Sequence, residues 1–195
     1  MKKTICSLIT SVALMMPLAA SAHDHKGPKE IESLVDIALA VNAEGSPFAG
    51  SFDTLIALLT EDVPGRAAIL STLSGRGQFT VFAPTDDAFE DLADTALTLG
   101  YCSLGDLNPA VINAVLLYHV ARGRLYAADV LDSDRIRMIS GGFLRQDSAV
   151  LTDNLGRTSN LIPGALNVEA DNGIIHAMEA VVLPLLPDPG PGGCL

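Results

Sequence analysis

FTVFAPTDDAFEDL, residues 79–92, decides how this chain is read. Phe79, Thr80, Val81 and Phe82 are the aromatic and β-branched residues that suit a strand. Ala83-Pro84 is expected to stop it, because proline has no N–H to give to a ladder. Thr85 then stands where a helix N-cap belongs, and Asp86, Asp87, Ala88 and Phe89 form an acidic first turn. A Thr cap accepts from an orphan backbone donor, and Asp near a helix start suits the macrodipole. The stretch therefore predicts a strand, a sharp corner and a helix, with Phe82 and Phe89 available to a core. Thr85 and Asp86 read as caps, not as catalysts.

Working back toward the N-terminus, Ile31, Leu34, Val35, Ala38 and Leu39 recur at helical spacing. NAEGSPFAG (42–50) breaks that pattern with Gly, Ser and Pro. A second helix is expected through Phe52, Leu55, Ile56, Leu58 and Leu59, opened by Ser51 or Asp53 and ended by Pro64-Gly65. Residues 67–73 suggest one further short helical turn. Working forward, the helix begun at the corner runs to Leu99, with Gly100 as its stop. Asn108-Pro109 is a good cap followed by a good first helical residue, and a helix should run from there to Tyr118-His119. Beyond this the pattern becomes short β-like runs: Leu125-Tyr126, 136–139, 148–152, 166–169 and 173–183. Asn172-Gly173 suggests a hairpin. Helices in the first half and strands in the second indicate an α+β fold.

The chain has 195 residues, of which 49% are hydrophobic but only 5% aromatic, with no Trp. One domain is expected, with a core of Leu, Val, Ile and Ala and a few Phe. Residues 1–22 read as a secretory signal peptide: Lys2-Lys3, a short apolar run, then Ala20-Ser21-Ala22 as the cleavage site. Cys6 lies too early in it to become a lipidated first residue. Residues 23–29 should be a flexible mature N-terminus, 30–186 the domain, and 187–195 a Pro/Gly-rich tail. No transmembrane segment is expected after cleavage. The formal charge is −11, and losing Lys2 and Lys3 makes it more negative. Such a chain repels nucleic acid and anionic head groups. Cys102 and Cys194 remain after cleavage, and in an oxidising compartment an even pair reads first as a disulfide.

Three stretches together resemble the fasciclin, or FAS1, family: FTVFAPTDDAF (79–89), Tyr118-His119-Val120, and NGIIHAMEAVVLP (172–184). The resemblance spans about residues 30–186. It implies a wedge-shaped β-sandwich with helices packed around it. It also implies an exported, non-catalytic module for adhesion or for matrix or envelope association, periplasmic or extracellular. The partner would be a protein or polysaccharide at the cell surface or in the matrix. In animal members an acidic-Ile element beside the second box is linked to integrin binding. Here Glu179-Ala180 follows Met178, so that role is not carried over. The alternative is a secreted carrier holding a small hydrophobic ligand in a groove.

Among candidate site residues, His119 follows Leu116 by three positions and so lies on the apolar side of its helix. A buried His needs partners for both ring nitrogens. A structural role is favoured, pinning the helix end near Thr85 or Asp86. Alternation in 174–179 puts Ile174, His176 and Met178 on one face of a strand and Ile175, Ala177 and Glu179 on the other. The four His residues lack zinc-ligand spacing, no nucleophile elbow or phosphate loop is present, and no cofactor is expected. Cleavage after Ala22 would start the mature chain His23-Asp24-His25. Its amine, two amides and the His25 imidazole could bind Cu(II) or Ni(II) in a square plane; an incidental polar tail is the simpler reading.

Overall fold

The computed structural model describes residues 32–98 and 107–184. Helices come first: α1 (Leu34–Asn42), α2 (Asp53–Thr60) and α3 (Arg66–Ser74) precede strand β1 (Phe79–Pro84). Helices α4 (Asp86–Thr98) and α5 (Pro109–Tyr118) follow, then β2 (Val120–Arg122) and the short α6 (Ala127–Asp132). The remainder is β3 (Arg135–Arg137), β4 (Phe143–Asp147), β5 (Val150–Thr152), β6 (Thr158–Asn160), a 3-10 turn (Pro163–Ala165), β7 (Val168–Ala170) and β8 (Gly173–Met178). The architecture is α+β, with most helices in the N-terminal half.

Local chemistry explains the helix starts. Ser33 and Asp36 form a reciprocal capping box on α1. Asn108 caps α5 by accepting from Ala110 N at 2.9 Å, with Pro109 in the first turn. The start of α2 differs from expectation. Its cap position is Phe52, with no side-chain cap, and Asp53 is already helical. The missing acceptor comes from Asp86, whose carboxylate takes Asp53 N at 3.1 Å and Thr54 N at 2.8 Å. The short turn expected at 67–73 is the full helix α3. Leu125-Tyr126 is not a strand, since Tyr126 is the cap residue of α6.

Two four-stranded sheets form the centre, ordered β2-β1-β8-β7 and β3-β4-β5-β6. In the first, β1 and β8 run parallel from Phe79 opposite Gly173 to Pro84 opposite Met178. Pro84 thus belongs to the strand it was expected to end. Phe79 N and Thr85 N point to the β8 side, whereas Phe82 N points the other way, to His119 O. By alternation the missing N–H of Pro84 faces that second side, beyond the end of β2, where no ladder bond is lost. The second sheet is an antiparallel meander.

The first sheet is covered on both faces, so β8 is buried at every residue. Phe79, Ile175 and Ala177 join the helix-side core with Leu34, Leu73 and Phe89. Phe82 and Met178 join the inter-sheet core with Tyr118, Leu144 and Leu151. The β7–β8 hairpin forms as expected, but its loop is Asp171-Asn172 and Gly173 is the first residue of β8. Glycine is needed at 173 for space, because a Cβ there would collide with Phe79 O and crowd Leu34.

Candidate functional site

The three signature stretches meet where α5 ends. Tyr118 is its last residue and is wholly buried. The phenol donates to Phe143 O at 2.6 Å and accepts from Asn154 N at 3.2 Å. Burial pushes it up to about 12, so it stays protonated. His119, also buried, turns the chain into β2. Its Nδ1 lies 2.8 Å from Val115 O, and its Nε2 accepts from Val182 N at 3.2 Å. Those partners fix the neutral tautomer with the proton on Nδ1. Burial pushes the imidazole down to about 4, against the opposing pull of the Val115 carbonyl and the Asp153 charge.

The expected partners of His119, Thr85 and Asp86, are not the ones its ring uses. Asp86 caps α2, as described above, while its N–H donates to Ser51 O at 2.8 Å. Thr85 precedes α4; its N–H donates to Met178 O and its carbonyl accepts from Phe89 N. The corner therefore ties together α2, α4 and β8 by short-range polar contacts.

Asn172, read only as part of a hairpin turn, and Asp153, the residue after the expected strand at 148–152, prove to be hubs. Asp153 is 4% exposed, and its carboxylate accepts from Leu155 N, Arg157 N and Leu183 N at 2.8–2.9 Å. With His119 it holds 182–183 against α5 and the β5–β6 turn. Asn172 is 1% exposed; it accepts from Leu34 N at 2.7 Å and donates to Leu73 O and Gly75 O at 2.7 and 2.6 Å. It joins α1, the end of α3 and the β7–β8 turn. The signal available in the sequence was an Asp or Asn at a turn, which looks the same whether its side chain faces water or the core.

His176 lies in the middle of β8. Its Nδ1 accepts from Asn167 N at 3.2 Å and its Nε2 donates to Leu125 O at 2.8 Å. Burial lowers its pKa. Its ring centroid is 5.8 Å from that of Phe82, on the inter-sheet side. Cys102, Cys194, His23 and His25 lie outside the described residues. Among the described residues no three His, Cys, Asp or Glu side chains come together as a metal site.

Chemically, this centre is closed. Tyr118, His119, His176 and Asp153 each spend their polar atoms on backbone partners, so none is free to bind or activate a substrate. Open space lies elsewhere. A cleft of about 630 Å³ opens beside β3 and the end of β2, lined in part by Arg122, Arg135 and Arg137. Two apolar crevices between the helices and the first sheet hold only about 20 and 40 Å³. Among the described residues no helix is long and apolar enough to cross a membrane.

The fasciclin domain model matches residues 50–184. Protein sll1483 from Synechocystis sp. is 31% identical over 180 residues, covering 90% of this chain and 92% of that protein. Immunogenic protein MPB70 from Mycobacterium bovis is 26% identical over 165 residues, covering 84% of this chain and 78% of that protein. The solved FAS1 domain pair of the insect cell adhesion molecule Fasciclin I matches with a TM-score of 0.55 and 15% identity. That match covers 77% of this chain and 50% of the pair, and it is a likeness of fold. Motifs, match and fold agree: the chain belongs to the fasciclin domain family.

Proposed function

We propose that this protein is an exported, non-catalytic interaction module that associates with protein or polysaccharide partners at the cell surface, envelope or matrix. The observation that carries the reading is the closed state of the signature motifs. Tyr118, His119 and His176 are buried and saturated by backbone groups, so the residues that mark the family hold the fold together. Recognition is then left to the outer surface. Export, to the periplasm or beyond, rests on the signal-like residues 1–22. The similarity in fold to part of a cell adhesion molecule is consistent with an adhesive role.

The carrier reading is the weaker one. The apolar crevices, at about 20 and 40 Å³, fall far below the roughly 300–1,000 Å³ of small-molecule sites. The test is capture from a native envelope preparation with the immobilised mature protein. Saturable retention of an envelope component by the folded protein, absent after heat denaturation, is expected. No retention by the folded protein would overturn the interaction reading, and a purified sample carrying pigment or extractable lipid would restore the carrier.

A further inference from the structure

After Lys29 the chain contains no lysine, and its eight arginines are its only fixed cations. Five of them fall between Arg122 and Arg145, inside an acidic protein. The ion pairs among the described residues are Arg66 with Glu61 and Arg124 with Glu169. Arg122, Arg135, Arg137 and Arg145 are in neither, and all four are exposed. Asp132 and Asp134, their acidic neighbours in the chain, make no ion pair with them.

The fold presses these charges together. Ile139 N donates to Val120 O, and Ala121 bridges Met138. One residue further along that antiparallel register, Arg122 stands opposite Arg137. Ala121 and Met138 face the inter-sheet core, so the two arginines face outward. In the second sheet Arg135 pairs directly with Arg145, and the guanidinium of Arg135 lies 4.9 Å above the Phe143 ring. Like charges opposite one another destabilise a sheet. Arg122, Arg137 and Arg135 line the open cleft, Arg145 does not, and the ring of Phe143 offsets part of the cost only at Arg135. The Arg122–Arg137 opposition has no such partner among the described residues.

We infer that this cleft is a binding site for a short segment of acidic polysaccharide. Its volume of about 630 Å³ lies within the usual range for small-ligand sites. Arginine forks match carboxylate and sulfate oxygens in pairs, which an ammonium cannot do. Between the arginines the lining includes Leu125 and Ile139, apolar surface suited to the C–H face of a sugar ring. Outside the cleft the chain is acidic, which disfavours a continuous polyanion such as duplex DNA and favours a ligand whose charges are spaced along a neutral scaffold. The inference rests on the interaction reading and names the chemistry of its partner.

The experiment measures binding of the mature protein to oligogalacturonate, to sulfated dextran oligosaccharide and to neutral dextran, at low and high salt. The two acidic probes separate carboxylate from sulfate as the source of the oxyanion. At least one should bind, and salt should weaken it; neutral dextran should not bind. The variant R122Q/R137Q should lose roughly tenfold or more in affinity, and R135Q should also lose affinity. Arg76→Gln, an exposed arginine outside the cleft lining and in neither ion pair, should bind like the wild type. The melting temperature of R122Q/R137Q should hold or rise, because repulsion is relieved, which separates lost binding from lost folding. Binding of neither acidic probe, equal binding of neutral dextran, unchanged affinity in the folded cleft variants, or tighter binding of duplex DNA would each overturn the inference. Envelope retention that survives R122Q/R137Q overturns this inference alone. A wild-type protein that is not retained overturns the underlying reading, whatever the oligosaccharides do.

Discussion

Lowering the pH from 6.5 toward 4 is expected to destabilise the fold through His119. In the unfolded chain an imidazole titrates near its ordinary 6.5, while in the fold burial holds it at about 4. Above pH 6.5 the ring is neutral in both states and contributes no pH dependence. Between the two values the unfolded chain binds a proton that the folded chain refuses, so stability falls as the pH falls. A gap of about 2.5 pH units at about 1.4 kcal/mol each amounts to roughly 3 kcal/mol by pH 4. Burial pushes His176 in the same direction, and it adds to the slope. The assay is urea denaturation at several pH values between 7 and 4.5, on the wild type and on His119→Gln. A glutamine amide can still donate to Val115 O and accept from Val182 N, but it does not titrate. The variant should lose some stability at pH 7 and show a slope shallower by up to about 1.4 kcal/mol per pH unit. Parallel slopes, or a folded-state His119 titrating near 6.5 by NMR, would rule out His119 as the source of the pH dependence.

Three further perturbations test the polar scaffold. Asp86→Ala removes the acceptor that caps α2 from 33 residues away, and should cost about 1–2 kcal/mol in urea denaturation, with Asp86→Asn costing less. Asn172→Ala leaves Leu34 N, Leu73 O and Gly75 O without partners; a loss of about 3 kcal/mol or more is expected, and a loss below about 1 kcal/mol would contradict the hub role. Ala149 sits with φ +70°, beside Ser148 with φ +53°, in the two-residue turn from β4 to β5. Ala149→Gly should relieve about 1–2 kcal/mol of left-handed strain and give back about 0.4–1 kcal/mol in chain entropy, for a small net rise in melting temperature; a fall would refute the strain argument.

What the sequence made legible was whatever local chemistry determines. The 79–92 corner, the Asn108-Pro109 helix start and the apolar spacing before Asn42 each announce themselves within one or two turns of chain. The meander strands β4 and β6 were not legible. FLRQD and TSN turn one face to the core and one to water, and contribute only Leu144 and Ser159 as buried residues. So short a run carries little periodicity. Helix α6 was hidden for the same reason, with Val130 as its buried residue.

The polar hubs were missed for another reason. Asp86, Asp153 and Asn172 sit where caps and turns are expected, so their local reading was complete before their distant partners were known. The partners of Asn172 lie 97 to 138 residues away, and topology alone brings them within reach. His119 shows the intermediate case. The need for two ring partners followed from its apolar position, but their identity depended on the path of residues 181–183 back across α5. The arginine cleft combines both cases: the charges are visible in the sequence, and their opposition appears only with the strand register.

If the signature residues serve the fold and recognition lies on the outer surface, binding per folded molecule does not depend on His119. Wild-type and His119→Gln mature proteins, both shown to be folded at pH 7 by near-ultraviolet circular dichroism, are titrated against the same native envelope preparation. Saturable retention of both with matching affinity is expected, although the variant unfolds at a lower urea concentration. A folded His119→Gln protein that no longer binds would contradict it, because the buried motif would then be part of the recognition surface.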